Sequence, residues 1–147
     1  MSGRARLLVF AHPQCPCSRA TVRELSAIMA QNRRSVDAYV LFLAPQSEGD
    51  LWVKGALWQE AAGIPGLHLV EDSGGREAQL FGASTSGQVL LYDSRGRLLF
   101  KGGITAARGH VGPNAGSEAI LHLLLGSAGP RKTTPVFGCS LRNESGS

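Results

Sequence analysis

The sequence predicts an α/β fold in which a central mixed sheet of about four to five strands is flanked by helices. Apolar runs that are too short for helices alternate along the chain with longer segments of helical periodicity. The first strand, helix and strand together have the length of a parallel crossover. Residues 88–92 and 97–101 are apolar and are joined by Asp93-Ser94-Arg95-Gly96, which is typical of an antiparallel hairpin.

The first half of the chain predicts strand, helix, strand and helix. Residues 7–11 and 36–44 are apolar runs that end before prolines, and they predict the first two strands. Residues 16–32 predict a helix with Pro16 at its favoured first position and Arg33 and Arg34 at its negative end. Residues 51–62 repeat apolar positions at helical spacing and stop at Gly63-Ile64-Pro65, which predicts a second helix.

The second half predicts a third strand at residues 67–70, a short helix at 77–81, the hairpin and a final helix capped by Asn114 or Ser117. We expect residues 1–126 to form one domain. Residues 127–147 then form a C-terminal tail that starts with a linker-like Gly126-Ser127-Ala128-Gly129-Pro130. Because this tail contains Val136, Phe137 and Cys139, we expect it to pack back onto the domain.

Composition bounds the function classes. With 147 residues, 43% hydrophobic and 18% charged, the chain is typical of a single soluble domain. No apolar run approaches the roughly 20 residues of a membrane span. The net charge of +4 is scattered and only 6% of residues are aromatic, which argues against nucleic-acid binding. No leader is recognisable at the N-terminus, which favours a cytoplasmic location, whereas an upstream anchor would make the chain envelope-facing, so the compartment stays open.

The most informative residues are Cys15 and Cys17, which lie where the first predicted strand passes into the first predicted helix. The first turn of a helix carries unpaired N–H groups and a partial positive charge, which stabilise a thiolate and lower its pKa. Three cysteines cannot all pair within one chain, so the pattern is not a disulfide scaffold. We therefore expect reactive thiols, with Cys15 and Cys17 as the catalytic pair.

Four short segments and the order of the elements carry a family resemblance. The segments are Leu8-Val9-Phe10 before the cysteines, Glu24-Leu25 after them, Phe81-Gly82 and residues 89–96. Together they resemble the thioredoxin-like superfamily, particularly TlpA-type thiol-disulfide oxidoreductases. The resemblance covers about residues 7–125 and implies a three-layer sandwich. It also implies that Cys15 is the nucleophile of the family's CxxC motif and that protein or small-molecule thiols and disulfides are the partners. No cofactor is then expected.

The chain departs from the family pattern at two positions. Ser18 stands at the second cysteine of the CxxC motif, so Cys17 as the resolving thiol is our own inference. About Ser86-Gly87 occupies the place of the family's cis-proline, which helps to position substrate and is thought to discourage metal binding. A disulfide between residues i and i+2 at a helix start is expected to be strained, which suits an oxidant or isomerase.

Several residues keep alternative interpretations. Cys139 is a packed small residue, a resolving thiol for Cys15, or a third soft ligand with Cys15 and Cys17 for copper or zinc, completed by His12 or His110. His12 either tunes Cys15 or is a half-exposed polar residue. Arg108 and His110 lie in a glycine-rich loop that either contacts a substrate or is simply solvated. Pro16, Ser18 and Gly87 are expected to line the site.

Hydrolase chemistry has little support. The chain has no GxSxG, HExxH or GxxxxGK[ST] segment. A pairing of Cys15 with His110 would lack a recognisable third member. The sequence therefore leaves a redox enzyme and a metal-delivery protein as the two hypotheses, and both depend on Cys15 and Cys17.

Overall fold

Five strands form one sheet in the order β3-β2-β1-β4-β5. The computed structural model describes residues 4–15, 18–32, 34–44, 54–105, 112, 114–124, 133–137 and 141. The strands are β1 (Ala5–Ala11), β2 (Val36–Ala44), β3 (Leu67–Ser73), β4 (Gln88–Tyr92) and β5 (Leu98–Gly102). The helices are α1 (Ser18–Asn32), α2 (Ala56–Ala62), α3 (Arg76–Leu80) and α4 (Ala115–Leu124). The predicted α/β class is confirmed.

The pairing of the strands is mixed. β1 pairs in parallel with β2, and β2 pairs in parallel with β3. β4 runs antiparallel to β1 and to β5, with Phe10 opposite Gln88 and Val89 opposite Gly102. The C-terminal end of β1, the start of β4 and the C-terminal end of β5 therefore lie at one edge of the sheet, and Cys15 follows β1 at this edge.

Each face of the sheet is covered by an apolar cluster, because successive side chains of a strand point to opposite faces. On one face, Leu7 and Val9 of β1 belong to a cluster with buried residues of α1, α2 and α4. On the other face, Leu8 and Phe10 cluster with Ala78 of α3 and with Leu141 near the C-terminus. Helix, sheet and helix thus form the three layers that the sequence predicts.

The boundaries differ from the prediction at several points. β1 begins two residues earlier, at Ala5, where the backbone N–H donates to the carbonyl of Ser35. The second helix begins at Ala56 and not at residue 51, so its predicted start is wrong; Gly55 is its N-cap. Of the two capping candidates for the last helix, Asn114 is correct, because its Oδ1 accepts the N–H of Ser117 at 2.7 Å.

β3 is three residues longer than predicted, since Glu71, Asp72 and Ser73 continue its pairing with β2. The predicted strand ends at residue 70, before these polar residues. Asp72 is nevertheless buried, and its carboxylate accepts the N–H groups of Glu77 and Ala78 at 2.8 and 3.0 Å. The end of the strand thereby caps α3. Within the described ranges, no helix has both the length and the apolar character to cross a membrane.

Candidate functional site

Cys15 lies in a tight connection between β1 and α1, and the residue is 3% exposed. Its backbone N–H donates to the carbonyl of His12 at 3.1 Å, and its carbonyl accepts the N–H of Ser18 at 3.1 Å. Both backbone polar groups of Cys15 are thus held by residues within three positions. Ser18 is the first residue of α1, so Cys15 lies just before the positive end of a 15-residue helix.

The Cys15 sulfur is in a disulfide. Cys17 and Cys139, the chain's other two cysteines, lie outside the described residues. Pro16, Arg108 and His110 also lie outside them. The structure therefore places Cys15, His12, Ser18 and Gly87 of the predicted site.

His12 is a neutral neighbour of this turn. Burial of the imidazole lowers the pKa of His12 below its ordinary value, and a backbone hydrogen bond opposes the shift. The backbone N–H of Gln14 donates to Nδ1 of His12 at 3.1 Å, so this nitrogen carries no proton. A neutral imidazole brings no positive charge to this turn.

Ser86 and Gly87 precede β4 and face the turn from the other side. The N–H of Gly87 donates to the carbonyl of Phe10 at 2.7 Å, which continues the β1–β4 pairing by one residue. Gly87 has a φ of +99°, and a Cβ atom built there would lie 3.1 Å from Oγ1 of Thr21 on α1. The backbone conformation favours glycine here, and a Cβ atom would make a tight contact with Thr21 of α1.

Ser86 is the residue of this site that sequence reasoning only partly found. Its hydroxyl oxygen accepts the N–H of His12 at 2.9 Å and is hydrogen-bonded to the hydroxyl of Ser18. Ser86 and Ser18 are 1% and 2% exposed. The sequence places Ser86 at the position of the family's proline, but no periodic pattern predicts a hydroxyl contact across 68 residues.

The described part of the C-terminal tail contacts the same edge. Thr133 pairs with Lys101 of β5, and the hydroxyl of Thr134 accepts from the N–H of Gly103 and donates to its carbonyl at 2.9 and 2.8 Å. The carbonyl of Phe137 lies 3.7 Å from a Cβ atom built on Gly87. The N–H of Leu141 donates to the carbonyl of Ser84 at 2.9 Å. Residues on both sides of Cys139 therefore contact the segment 84–87.

The carboxylate of Glu24 holds the segment that precedes α4. Glu24 of α1 accepts the N–H of Gly112 at 2.7 Å and a weaker contact from the Asn114 side chain at 3.5 Å. Asn114 also caps α4. Both ends of this connection, Thr105 and Gly112, are described, whereas the intervening residues that carry Arg108 and His110 are not.

The metal hypothesis finds no ligand cluster in the part of the chain that the structure describes. There, no three His, Cys, Asp or Glu side chains lie close enough to hold a metal ion. Cys17, Cys139 and His110 lie outside that part, so the proposed ligand set itself is not described.

The fold and this site define an α/β protein with a buried cysteine between its first strand and helix. The sequence matches no protein-family model and no curated protein. Solved structures are similar. An uncharacterized conserved protein from Geobacillus kaustophilus has a TM-score of 0.75 at 19% identity, covering 96% of this chain and 78% of its own.

Two other similar structures have descriptive names. The exposed lipoprotein thioredoxin of Streptococcus pneumoniae has a TM-score of 0.61 at 16% identity, covering 85% of this chain and 86% of its own. A secreted disulfide oxidoreductase of Mycobacterium tuberculosis has a TM-score of 0.53 at 18% identity, covering 66% and 67%. The chain has the thioredoxin-like fold, as the resemblance in its sequence implies.

Proposed function

We propose that this protein is a thiol-disulfide oxidoreductase in which Cys15 is the nucleophile and Cys17 the resolving thiol. The observation that carries the proposal is the position of Cys15, oxidised in a disulfide and held just before α1 on a thioredoxin-like fold. The dipole of α1 and its unpaired N–H groups favour the thiolate once this disulfide is reduced. The thioredoxin and the disulfide oxidoreductase among the similar structures support the same activity.

The exchange follows from the chemistry of two thiols. The Cys15 thiolate attacks one sulfur of a substrate disulfide, the substrate S–S bond breaks, and the other substrate sulfur leaves as a thiolate. The Cys17 thiolate then attacks Sγ of Cys15 and releases the second substrate thiolate. The protein is left with a disulfide, and two electrons have passed to the substrate. The reverse sequence oxidises a substrate dithiol.

Cys139 is the alternative resolving thiol. In its favour, Phe137 and Leu141 contact the segment 84–87, and Ser86 of this segment contacts His12 and Ser18 on either side of Cys15. Cys139 is two residues from Phe137 and two from Leu141. The chain can therefore place it at most about 7 Å from either of them. Peptide mapping of the oxidised protein without reduction distinguishes the two pairings.

Three single substitutions test the proposal in an exchange assay with insulin and with glutathione disulfide. Cys15→Ser should reduce exchange to the uncatalysed background. Cys17→Ser should accumulate a mixed disulfide with the substrate, visible by mass spectrometry, and Cys139→Ser, the matched control, should not. If Cys139→Ser accumulates the mixed disulfide and Cys17→Ser does not, the roles are reversed. Wild-type protein without exchange activity would remove the proposed function.

Metal delivery is the second candidate, supported by Ser86 and Gly87 in place of the family's proline. Cys15, Cys17 and Cys139 would then ligate copper or zinc. Metal binding requires Cys15 as a thiolate, so this candidate concerns the reduced protein. Titration of the reduced protein with Cu(I) and Zn(II) separates the candidates: stoichiometric uptake without exchange activity favours metal delivery.

The compartment is part of the same proposal. An oxidising couple works outside the reducing cytosol, and two of the similar proteins are described as secreted or exposed. An envelope-facing location therefore suits the oxidising direction of the exchange, whereas the N-terminus predicts a cytoplasmic location. Treatment of intact cells with a membrane-impermeant reductant and then with a membrane-impermeant alkylating reagent tests it, since labelling of the released thiols requires exposure outside the inner membrane.

A further inference from the structure

We infer that Ser86 is a positioning residue for the Cys15 thiol, acting through a closed ring of hydrogen bonds with His12, Cys15 and Ser18. The inference rests on the proposed function, in which Cys15 is the nucleophile. It identifies what holds this nucleophile in place in a chain that has neither the family's proline nor its second motif cysteine at the usual positions.

The ring is closed around the backbone of Cys15. Ser86 Oγ accepts the N–H of His12 at 2.9 Å, and the His12 carbonyl accepts the N–H of Cys15 at 3.1 Å. The carbonyl of Cys15 accepts the N–H of Ser18 at 3.1 Å. The Ser18 hydroxyl returns to the Ser86 hydroxyl and completes the ring. Both polar backbone groups of Cys15 are thus members of it.

The ring joins parts of the chain that are distant in sequence. Ser86 lies 74 residues from His12 and 68 from Ser18, so its hydroxyl ties the end of β1 to the start of α1 across the sheet. Gly87 anchors the same segment through its hydrogen bond to Phe10. Since β4 fixes Ser86 and α1 fixes Ser18, the position of Cys15 relative to the α1 N-terminus depends on both contacts.

Burial gives the ring its importance. Ser86, Ser18 and Cys15 are 1%, 2% and 3% exposed, so water cannot easily replace a lost partner. Removing the Ser86 hydroxyl leaves the part-buried N–H of His12 and the buried hydroxyl of Ser18 without this partner. The turn then relaxes, and the backbone of Cys15 is no longer held at a fixed distance from the N-terminus of α1. The thiolate becomes less stable and the thiol less reactive at neutral pH.

The test measures alkylation of Cys15 by iodoacetamide as a function of pH, in full-length protein carrying Cys17→Ser and Cys139→Ser so that Cys15 is the single thiol. Adding Ser86→Ala should raise the pH midpoint by about one unit and slow alkylation below the midpoint about tenfold. Ser18→Ala, which opens the ring at another point, should act in the same direction. If Ser86→Ala does not fold, Ser18→Ala alone tests the inference.

The double variant Ser18→Ala with Ser86→Ala should shift the midpoint no further than the larger single shift, because both substitutions open one ring. Ser117→Ala is the matched control, a buried serine of α4 whose hydroxyl accepts from Asn114 at 3.1 Å. It removes a buried hydroxyl elsewhere and should leave the alkylation profile unchanged.

Two results would overturn the inference: an unchanged profile in both serine variants, or shifts that add in the double variant. The exchange activity of the wild-type protein is measured separately. Loss of the serine effect with intact exchange removes this inference and leaves the proposed function standing. If the wild type lacks exchange activity while the serine variants still shift the alkylation midpoint, the proposed function is removed and this inference stands.

Discussion

The carboxylate of Glu24 accepts a hydrogen bond from the backbone N–H of Gly112 at 2.7 Å, which joins the middle of α1 to the segment before α4. The same carboxylate reaches the side chain of Asn114, the residue that caps α4. Arg108 and His110 belong to the connection between β5 and α4. The Glu24 side chain holds this connection at the end next to α4.

Replacing Glu24 with Ala should destabilise the protein by about 1.5–3 kcal/mol, the range for hydrogen bonds to a charged group. The physical reason is the loss of the acceptor for Gly112 and Asn114. Thermal unfolding should show a decrease in Tm of roughly 2–4 °C for each kcal/mol. Glu24→Gln keeps an acceptor oxygen and should recover part of the loss. Glu118→Gln, at an exposed position of α4, is the control. Equal stability of Glu24→Ala and wild type would show that the contact contributes nothing.

The second prediction concerns Gly116, near the start of α4. A Cβ atom built there would lie 1.8 Å from the carbonyl oxygen of Gly103, a contact that no side chain can make without moving backbone. Alanine normally stabilises a helix interior by about 1 kcal/mol over glycine. Here Gly116→Ala should instead destabilise the protein by about 3 kcal/mol, the upper end of the usual cost of overpacking.

Gly63→Ala is the matched comparison for that substitution. Gly63 follows α2 with a φ of −82°, and a Cβ atom there would lie no closer than 3.5 Å to the carbonyl oxygen of Glu60. Its stability should stay within about 0.5 kcal/mol of wild type in urea unfolding. If Gly116→Ala matches Gly63→Ala, the close packing of α4 on Gly103 is not present in solution.

Local patterns predicted most of this fold because its main elements are apolar in a regular way. β2 and β4 match their predicted bounds, and the buried residues of α1 follow helical spacing. The end of β3 was missed because its residues are polar. Asp72 is buried there, and its carboxylate accepts N–H groups at the start of α3. The start of the second helix was placed too early, since apolar periodicity alone does not mark a first turn.

The site was predictable only in its local part. Cys15 is found from the strand before it and the helix after it, because both are encoded within a few residues. Ser86 and Thr134 act through contacts with residues far away in sequence, the hydroxyl of Ser18 and the backbone of Gly103. Hydroxyl residues occur throughout the chain, and their partners are set by the pairing of β1 with β4 and of β5 with the tail.

The last prediction follows from the lowered pKa of His12, which burial causes. Because the folded state holds the imidazole neutral to a lower pH than the unfolded chain does, the unfolded chain binds the proton first as pH falls. The contribution of His12 is complete above the ordinary pKa of 6.5 and is lost as pH falls from there through the folded pKa. The free energy of unfolding should therefore decline below about pH 6.5.

His12→Asn keeps an acceptor for the N–H of Gln14 without titrating, so the decline in its free energy of unfolding should be shallower. His122→Asn, at an exposed position of α4, controls for the loss of a histidine. Urea unfolding between pH 7.5 and roughly pH 5 measures the slopes, and parallel curves for wild type and His12→Asn would contradict a buried neutral imidazole.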